Sequence, residues 1–310
     1  VVSKSRAVIS QRTSACSFGA QQAGRRSGRV RLCRCRLSEL LNNVPTAVQD
    51  VSLTPVGKSY QNPGWLAADD HGVYFRKGYL RLAPMISSML YFLGIGAQKA
   101  GTTWLYRSLQ LHPRLGFPAG KEVHFWDKHR DRGIEWYRNQ FSGDDDRLHG
   151  DITPAYAMLE PAVIREIGQE FPALRLIYIL RNPIERAWSH AKMDLRTKGL
   201  ALADAPDGYF RQHFRHKNSL TRGDAEGCLR RWRAVFPAEQ LLTLRFETLC
   251  HQPRELLRRC CDHLGVDDVY QDQSLPLPCN ISPGALPPML FEDLFTLYRE
   301  SIVSLSAYLG

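Results

Sequence analysis

The sequence predicts an α/β fold: three layers, α/β/α, around a central parallel sheet. Two strand-to-helix junctions and a later strand carry that expectation. Residues 90–95 are apolar or aromatic except for Gly94, and 174–180 are apolar except for Arg175. Such runs suit strands buried on both faces, as in parallel sheets. Each breaks at turn-forming residues and restarts as a helix, the first through Gly96–Gly101 and the second through Arg181-Asn-Pro. Leu241-Leu-Thr-Leu-Arg-Phe-Glu247 reads as the last core strand, with Glu247 expected to form structural hydrogen bonds.

Composition bounds the rest. The chain has 310 residues, 44% hydrophobic and 23% charged, with a formal net charge of +10. That is enough for one sizeable α/β domain and an appendage. Residues 1–38 hold nine Lys and Arg and no acid, so residues 39–310 carry 32 basic and 31 acidic side chains. The basicity belongs to the leader, and the body makes no case for nucleic acid as a partner. Rich in Arg, Ser, Gln and Gly and without a long apolar run, the leader resembles an organellar transit peptide. The alternative is a disordered basic tail on a cytoplasmic protein. No run reaches transmembrane length.

Residues 39–83 carry Pro45, Pro55, Pro63, Gly57, Gly64 and Gly72 with little periodicity and read as a linker or irregular wrap. The globular domain is expected over 84–310. Its cysteines, Cys228, Cys250, Cys260, Cys261 and Cys279, show neither zinc spacing nor a disulfide framework, which points to a reducing compartment. Cys260 and Cys261 fall in a helical pattern and are expected to pack as small core residues.

Taken in order, the first junction ends a strand at Gly96 and starts a helix at Thr102. Trp104, Leu105, Ser108, Leu109 and His112 share one helix side before Pro113. The helix N-terminus offers unsatisfied N–H groups and partial positive charge, suited to phosphate or sulfate. Lys99, Thr102 and Thr103 add a cation and two hydroxyls. Gly96 and Gly101 have P-loop spacing, yet Thr102 stands where a nucleotide P-loop has Lys. The fold is therefore expected to be P-loop-like, with a phosphate loop that is not of the kinase pattern.

Leu115-Gly-Phe then reads as a short strand, followed by Lys121-Glu-Val-His-Phe-Trp126. Residues 132–141 have the pattern of an amphipathic helix with Ile134, Trp136, Tyr137 and Phe141 inward. The Gly-Asp-Asp-Asp run at 143–146 is a solvated turn, and no metal is assigned to it or elsewhere. A helix is expected over 161–171. After the 174–180 strand, Asn182 suits an N-cap, Pro183 the first helical position and Glu185 a capping box, and Gly199 ends the helix. Its stripe of Ile184, Ala187, Trp188, Ala191 and Leu195 faces the sheet. Arg181 thus stands at the carboxyl end of a strand, where α/β sheets bind ligands, and a guanidinium there suits a phosphate. Residues 205–236 read as helical, and helices at 253–265 and 288–309 are expected to cover the sheet.

Gln98-Lys-Ala-Gly-Thr-Thr-Trp104 after a buried strand resembles the 5′-phosphosulfate loop of the sulfotransferases that use 3′-phosphoadenosine 5′-phosphosulfate, PAPS. Arg181-Asn-Pro with Ser189 eight residues on resembles their 3′-phosphate motif. Lys121-Glu-Val-His-Phe resembles the glycosaminoglycan-type segment whose Glu is the catalytic base. The resemblance spans about 84–310 and implies PAPS as co-substrate, held by Lys99, Ala100, Gly101, Thr102, Thr103, Trp104, Arg181 and Ser189. It implies Glu122 as the base, Lys99 and Lys121 beside the transferred group, and His124 as the rival base. The acceptor would be a carbohydrate or a small molecule, its hydroxyl or amine unresolved; oligomeric state is not legible. Gly150-Asp-Ile-Thr-Pro-Ala-Tyr156 resembles a segment near the family's acceptor cleft, offering Asp151, Thr153 and Tyr156. Arg222-Gly-Asp-Ala resembles an Arg-Gly-x-Tyr segment with Ala225 at the Tyr position, and the family's Lys-Gly-Arg closing loop has no counterpart, since no Lys follows Lys217. The alternatives are an ATP-dependent small-molecule kinase on the related fold and a non-catalytic binder of PAPS or its desulfated product PAP.

Overall fold

The structure, a computed structural model, describes residues 90–142, 145–271, 275–276 and 284–310. The basic leader, the linker, the start of the acidic turn and most of the loop at 278–284 lie outside the described residues. Within them, five strands form one sheet: β1 (Leu90–Gly96), β2 (Leu115–Gly116), β3 (Leu148–Ile152), β4 (Arg175–Leu180) and β5 (Leu241–Arg245). All pairings are parallel and the order is β2-β3-β1-β4-β5. The first strand of the phosphate-type loop is therefore the middle of the sheet. Gly94 pairs with Ile152 on one side and Ile177 on the other. The carboxyl ends of β3, β1 and β4 consequently open at one pole.

Helices follow the strands: α1 (Thr102–Leu109), α2 (Phe125–Lys128), α3 (Ile134–Asn139), α4 (Pro161–Glu170), α5 (Pro183–Thr197), α6 (Asp207–Arg215), α7 (Lys217–Gly223), α8 (Ala225–Arg233), α9 (Phe246–His251), α10 (Pro253–Leu264) and α11 (Pro288–Leu309). The expected caps of α5 are present at both ends. Asn182 accepts from Ile184 N at 3.0 Å, and Gly199, at φ +70°, follows the last turn while Leu200 N donates to Leu195 O. Glu185 turns to Arg181 at 3.6 Å.

The 205–236 region is three helices, divided where side chains cap the next start: His216 accepts from Asn218 N and Asp224 from Gly227 N. Competition of such side chains with the backbone breaks what periodicity alone reads as continuous. The last helix also departs from expectation. α10 packs on β4 and β5, but α11 lies chiefly on α5, α6 and α8 instead of the sheet. An apolar stripe states that a face is buried without naming its partner.

The core has aromatic side chains on both flanks of β1. Phe125 stacks on Tyr137 at 4.5 Å, and Phe92 meets Phe117 edge-on at 5.5 Å. Tyr137 and Phe141 are fully buried as expected, whereas Ile134 and Trp136 are half-buried. Cys260 and Cys261 are fully buried, and burial pushes both thiols up, as befits small core residues.

Phe92 leaves no room opposite. A Cβ on Gly150 would lie 2.1 Å from the Phe92 ring. Gly150→Ala is expected to cost about 1–3 kcal/mol through overpacking, read as a lower urea midpoint at unchanged slope. An unaltered midpoint would show that the ring yields.

Candidate active site

The β1–α1 loop is shaped by two left-handed residues. Lys99 has φ +70°, uncommon for a non-glycine, and Gly101 has φ +87° at the N-cap of α1. A Cβ at Gly101 would also sit 2.6 Å from Leu249 Cδ1, so conformation and space both require glycine. Gly101 supplies no side chain to cap α1, which leaves the first N–H groups of the helix for another acceptor. Thr102 is buried and Thr103 half-buried at that end. Ala100 is fully buried and its N–H donates to Ala97 O. The Trp104 ring is buried and its indole N–H donates to Pro276 O at 2.8 Å, so what Trp104 can offer the loop is its backbone.

Arg181 arrives at the same pole from β4. Its Nη1 donates to the Lys99 carbonyl, its guanidinium lies 4.1 Å over the Phe246 ring, and its Nε is buried with no partner among the described residues. Burial is the main force lowering the pKa of both Lys99 and Arg181. The charges acting on Lys99 are all positive: Arg196, then Arg181, then Lys192. Glu185 and Glu247, in the first turn of α9, act on Arg181 in the opposite sense. Ser189 lies two turns into α5, which starts just after Arg181, and is buried at 7% exposure. Desolvated cations, an uncapped helix start and an orphaned guanidinium nitrogen fit a ligand bearing several anionic groups.

The 121–125 segment is fastened to the end of β3. Glu122 N donates to Ile152 O (3.2 Å), His124 N to Thr153 Oγ1 (3.5 Å) and Phe125 N to Tyr156 Oη (3.1 Å). Beneath them the fully buried carboxylate of Asp151 accepts from Tyr137 and Tyr156 hydroxyls at 3.0 and 2.7 Å, from Thr153 at 2.6 Å and from the Val123 backbone. Burial pushes the Asp151 carboxyl up, and these donors only partly draw it back. Asp151, Thr153 and Tyr156 are all buried, and what their side chains do among the described residues is support the segment above.

Glu122 and His124 project from this support in left-handed conformations, φ +62° and +57°. Strained backbone of this kind persists where surrounding bonds over-determine it. The Glu122 carboxylate pairs with Lys121 and lies 3.4 Å from His124 Nε2; His124 Nδ1 lies 2.9 Å from Asp127 Oδ2. Burial works to raise the Glu122 pKa, but the hydrogen bonds and charges of Lys121 and His124 outweigh it and hold the carboxyl below its ordinary value. It is ionised at neutral pH.

Asp127 was not singled out from sequence, although its place three residues after His124 at the start of a helix was a usable signal. Arg222 had only its motif. It is half-buried, its charge acts on Asp127 and Glu122, and its Nη1 has no partner among the described residues. Lys192 and Arg196 were also missed; both lie on α5 beyond Ser189.

A parallel sheet with β1 at its centre, an anion-receptive loop after β1 and an arginine after the neighbouring strand define a P-loop-like α/β protein. Residues 92–274 match the sulfotransferase domain family, and the chain belongs to it. The chain is 32% identical over 193 residues to mouse (Mus musculus) heparan sulfate glucosamine 3-O-sulfotransferase 6, covering 58% of this chain and 53% of that protein. It is 28% identical over 187 residues to human (Homo sapiens) heparan sulfate glucosamine 3-O-sulfotransferase 3B1, covering 58% and 47%. It thus spans about half the length of the curated relatives it matches. The crystal structure of a sulfotransferase from Alicyclobacillus acidocaldarius superposes with a TM-score of 0.56 at 25% identity, over 71% of this chain and 95% of that one. Among the described residues no helix is long and apolar enough to cross a membrane.

Asp151→Asn turns one of the two acceptor oxygens toward its donors into a donor itself. A loss of about 1–3 kcal/mol is expected from the unsatisfied buried groups, measured by urea unfolding. Full retention of stability would show that the four donors do not depend on the charge.

Proposed function

We propose that this domain moves the sulfuryl group of PAPS to a hydroxyl of a carbohydrate acceptor by in-line attack. The observation that carries the reading is the gathering of Lys99, Arg181 and the uncapped start of α1 on adjacent parallel strands, with the ionised Glu122 carboxylate fastened to the end of the third. When bound, PAPS supplies an electrophilic sulfuryl group. The N–H groups of 101–103 and the hydroxyls of Thr102 and Thr103 hold its 5′-phosphate, and Lys99 offsets the charge that develops as that phosphate leaves. Arg181 and Ser189 hold the 3′-phosphate, and the two anchors align sulfur with the acceptor. The heparan sulfate named for its relatives supports a glycan acceptor and, by their 3-O designation, a hydroxyl.

Between the two bases, the geometry favours Glu122. Both ring nitrogens of His124 face protein groups, Nδ1 toward Asp127 and Nε2 toward Glu122 and Lys128. The Glu122 side chain is 40% exposed and holds lone pairs beyond those directed at Lys121 and His124. Glu122 therefore takes the acceptor proton, while His124, held by Asp127, orients it. Lys121 keeps the carboxylate ionised.

Glu122→Gln is expected to bind PAP as the wild type does and to lose about 10²–10⁴ in turnover, the usual worth of a general base. Because its pKa is depressed, wild-type kcat/KM should hold from neutral pH down past the ordinary value of a glutamate before its acid limb begins. Full activity in Glu122→Gln with none in His124→Ala would move the base to His124.

Lys99→Ala and Arg181→Ala should each weaken PAP binding, measured by thermal shift against AMP and against ATP with Mg²⁺. PAP at 100-fold its dissociation constant adds about 2.7 kcal/mol of apparent stability. A wild type that responds to ATP with Mg²⁺ above PAP would overturn the sulfotransferase reading in favour of a kinase.

A further inference from the structure

The cations assigned so far come from two loops, but α5 carries two more to the same pole. Glu185, Ser189, Lys192 and Arg196 are spaced by four, three and four residues and so run as one stripe beside the core-facing one. The stripe begins next to Arg181, with which Glu185 pairs at 3.6 Å. One turn past Ser189, Lys192 is anchored: its Nζ donates to Gly284 O at 3.0 Å and lies 5.3 Å over the Trp188 ring. The indole of Trp188 donates to the same carbonyl at 3.1 Å. Arg196 follows one turn later, exposed, and among charged groups it acts most strongly on Lys99.

A row of charges on a helix is ordinarily a solvated face. Two features set this one apart. Lys192 is positioned by an aromatic ring and a carbonyl, where a solvated lysine would move freely. The stripe also converges on Lys99 and Arg181, which come from other segments. The charged groups acting on Lys99 are all cations, and Glu185, the acid on the stripe, has a side chain 61% exposed. Arg196, Arg181 and Lys192 all act unfavourably on the charged form of Lys99, and an anion joining them would relieve that repulsion.

The charge on the proposed ligand matches the excess. A phosphomonoester carries about −1.5 to −2 at neutral pH, so a nucleoside 3′,5′-bisphosphate brings about twice that. Lys99 and Arg181 together supply two positive charges.

We propose that Lys192 and Arg196 are nucleotide-binding residues, Lys192 beside Ser189 at the 3′-phosphate and Arg196 beside Lys99 at the 5′ group. The inference rests on the PAPS reading above and adds two residues to its site. α5 then acts as a cationic rail under the whole bisphosphate, with Arg181 and Ser189 at one end.

The test is calorimetric titration of the full chain with PAP and with AMP, which lacks the 3′-phosphate. Lys192→Met removes the charge and keeps a chain of similar length on Trp188. It should weaken PAP binding about tenfold, the worth of one charge-assisted contact, and leave AMP binding unchanged. Arg196→Ala should weaken both ligands. Lys198→Ala, which removes an exposed partner of Asp194 off the stripe, serves as control and should alter neither. Both stripe variants should keep the wild-type melting temperature without ligand and lower the salt dependence of PAP binding.

PAP affinity within twofold of wild type in the Lys192→Met, Arg196→Ala double variant would overturn the proposal. So would equal losses on PAP and AMP in Lys192→Met. A wild type that binds neither nucleotide would instead remove the PAPS reading itself, an outcome distinct from wild-type binding that the variants leave intact.

Discussion

The carboxylate of Asp151 holds the pole together. It is fully buried, and an isolated buried charge is strongly disfavoured; four donors aimed at its two oxygens make the position tenable. Two of those donors, the Thr153 and Tyr156 hydroxyls, also accept from the backbone of the segment above. Because each hydroxyl both donates downward and accepts upward, the orientation of Asp151 is passed to His124 and Phe125. The left-handed turns at Glu122 and His124 are affordable because the segment has lost its freedom to relax. β3 thereby sets where a side chain on the β2–α2 connection stands, although that connection is not part of the strand.

The second constraint is the parallel order of the sheet. With β1 between β3 and β4, three connections leave the sheet side by side. Lys99 and Arg181, far apart in sequence, meet through a hydrogen bond from one guanidinium to the other's carbonyl. Any slip in the β1–β4 register would part them. On the other side of β1, Gly94 and Gly150 keep its packing on β3 tight, each facing a side chain of the neighbouring strand that a methyl group would strike.

How much of this was legible in the sequence follows from how local each signal is. The two strand-loop-helix junctions, the Asn182 cap, the Gly199 stop and the helix at 288–309 rest on neighbouring residues, and all are found where the pattern puts them. The role of Asp151 needed the pairing of β3 with β1 and the return of a loop from elsewhere, which no local pattern contains. Asp127 and Arg222 needed the same knowledge, since what marks them is the company of Glu122. The partner of α11 was illegible for the opposite reason: its apolar stripe is clear but equally suited to a sheet or to other helices.

Net charge was the least informative observation, and the structure explains why. Residues 39–310 are almost balanced, yet the balance is made of separate local cancellations: Arg130 with Glu166, Arg138 with Glu135 and Glu170, Arg147 with Asp145, Arg254 with Asp268, Arg258 with Glu255 and Asp262. Exposed pairs of this kind contribute little to stability, but they remove their members from the count of charges available to a ligand. Outside those pairs stand the cations at the carboxyl end of the sheet, where Arg196, Arg181 and Lys192 all act on Lys99. A ligand senses that local excess, because screening over a Debye length of about 8 Å makes the distant pairs invisible to it. A near-neutral body is therefore compatible with strong selection for a polyanion, provided the compensating acids are paired elsewhere.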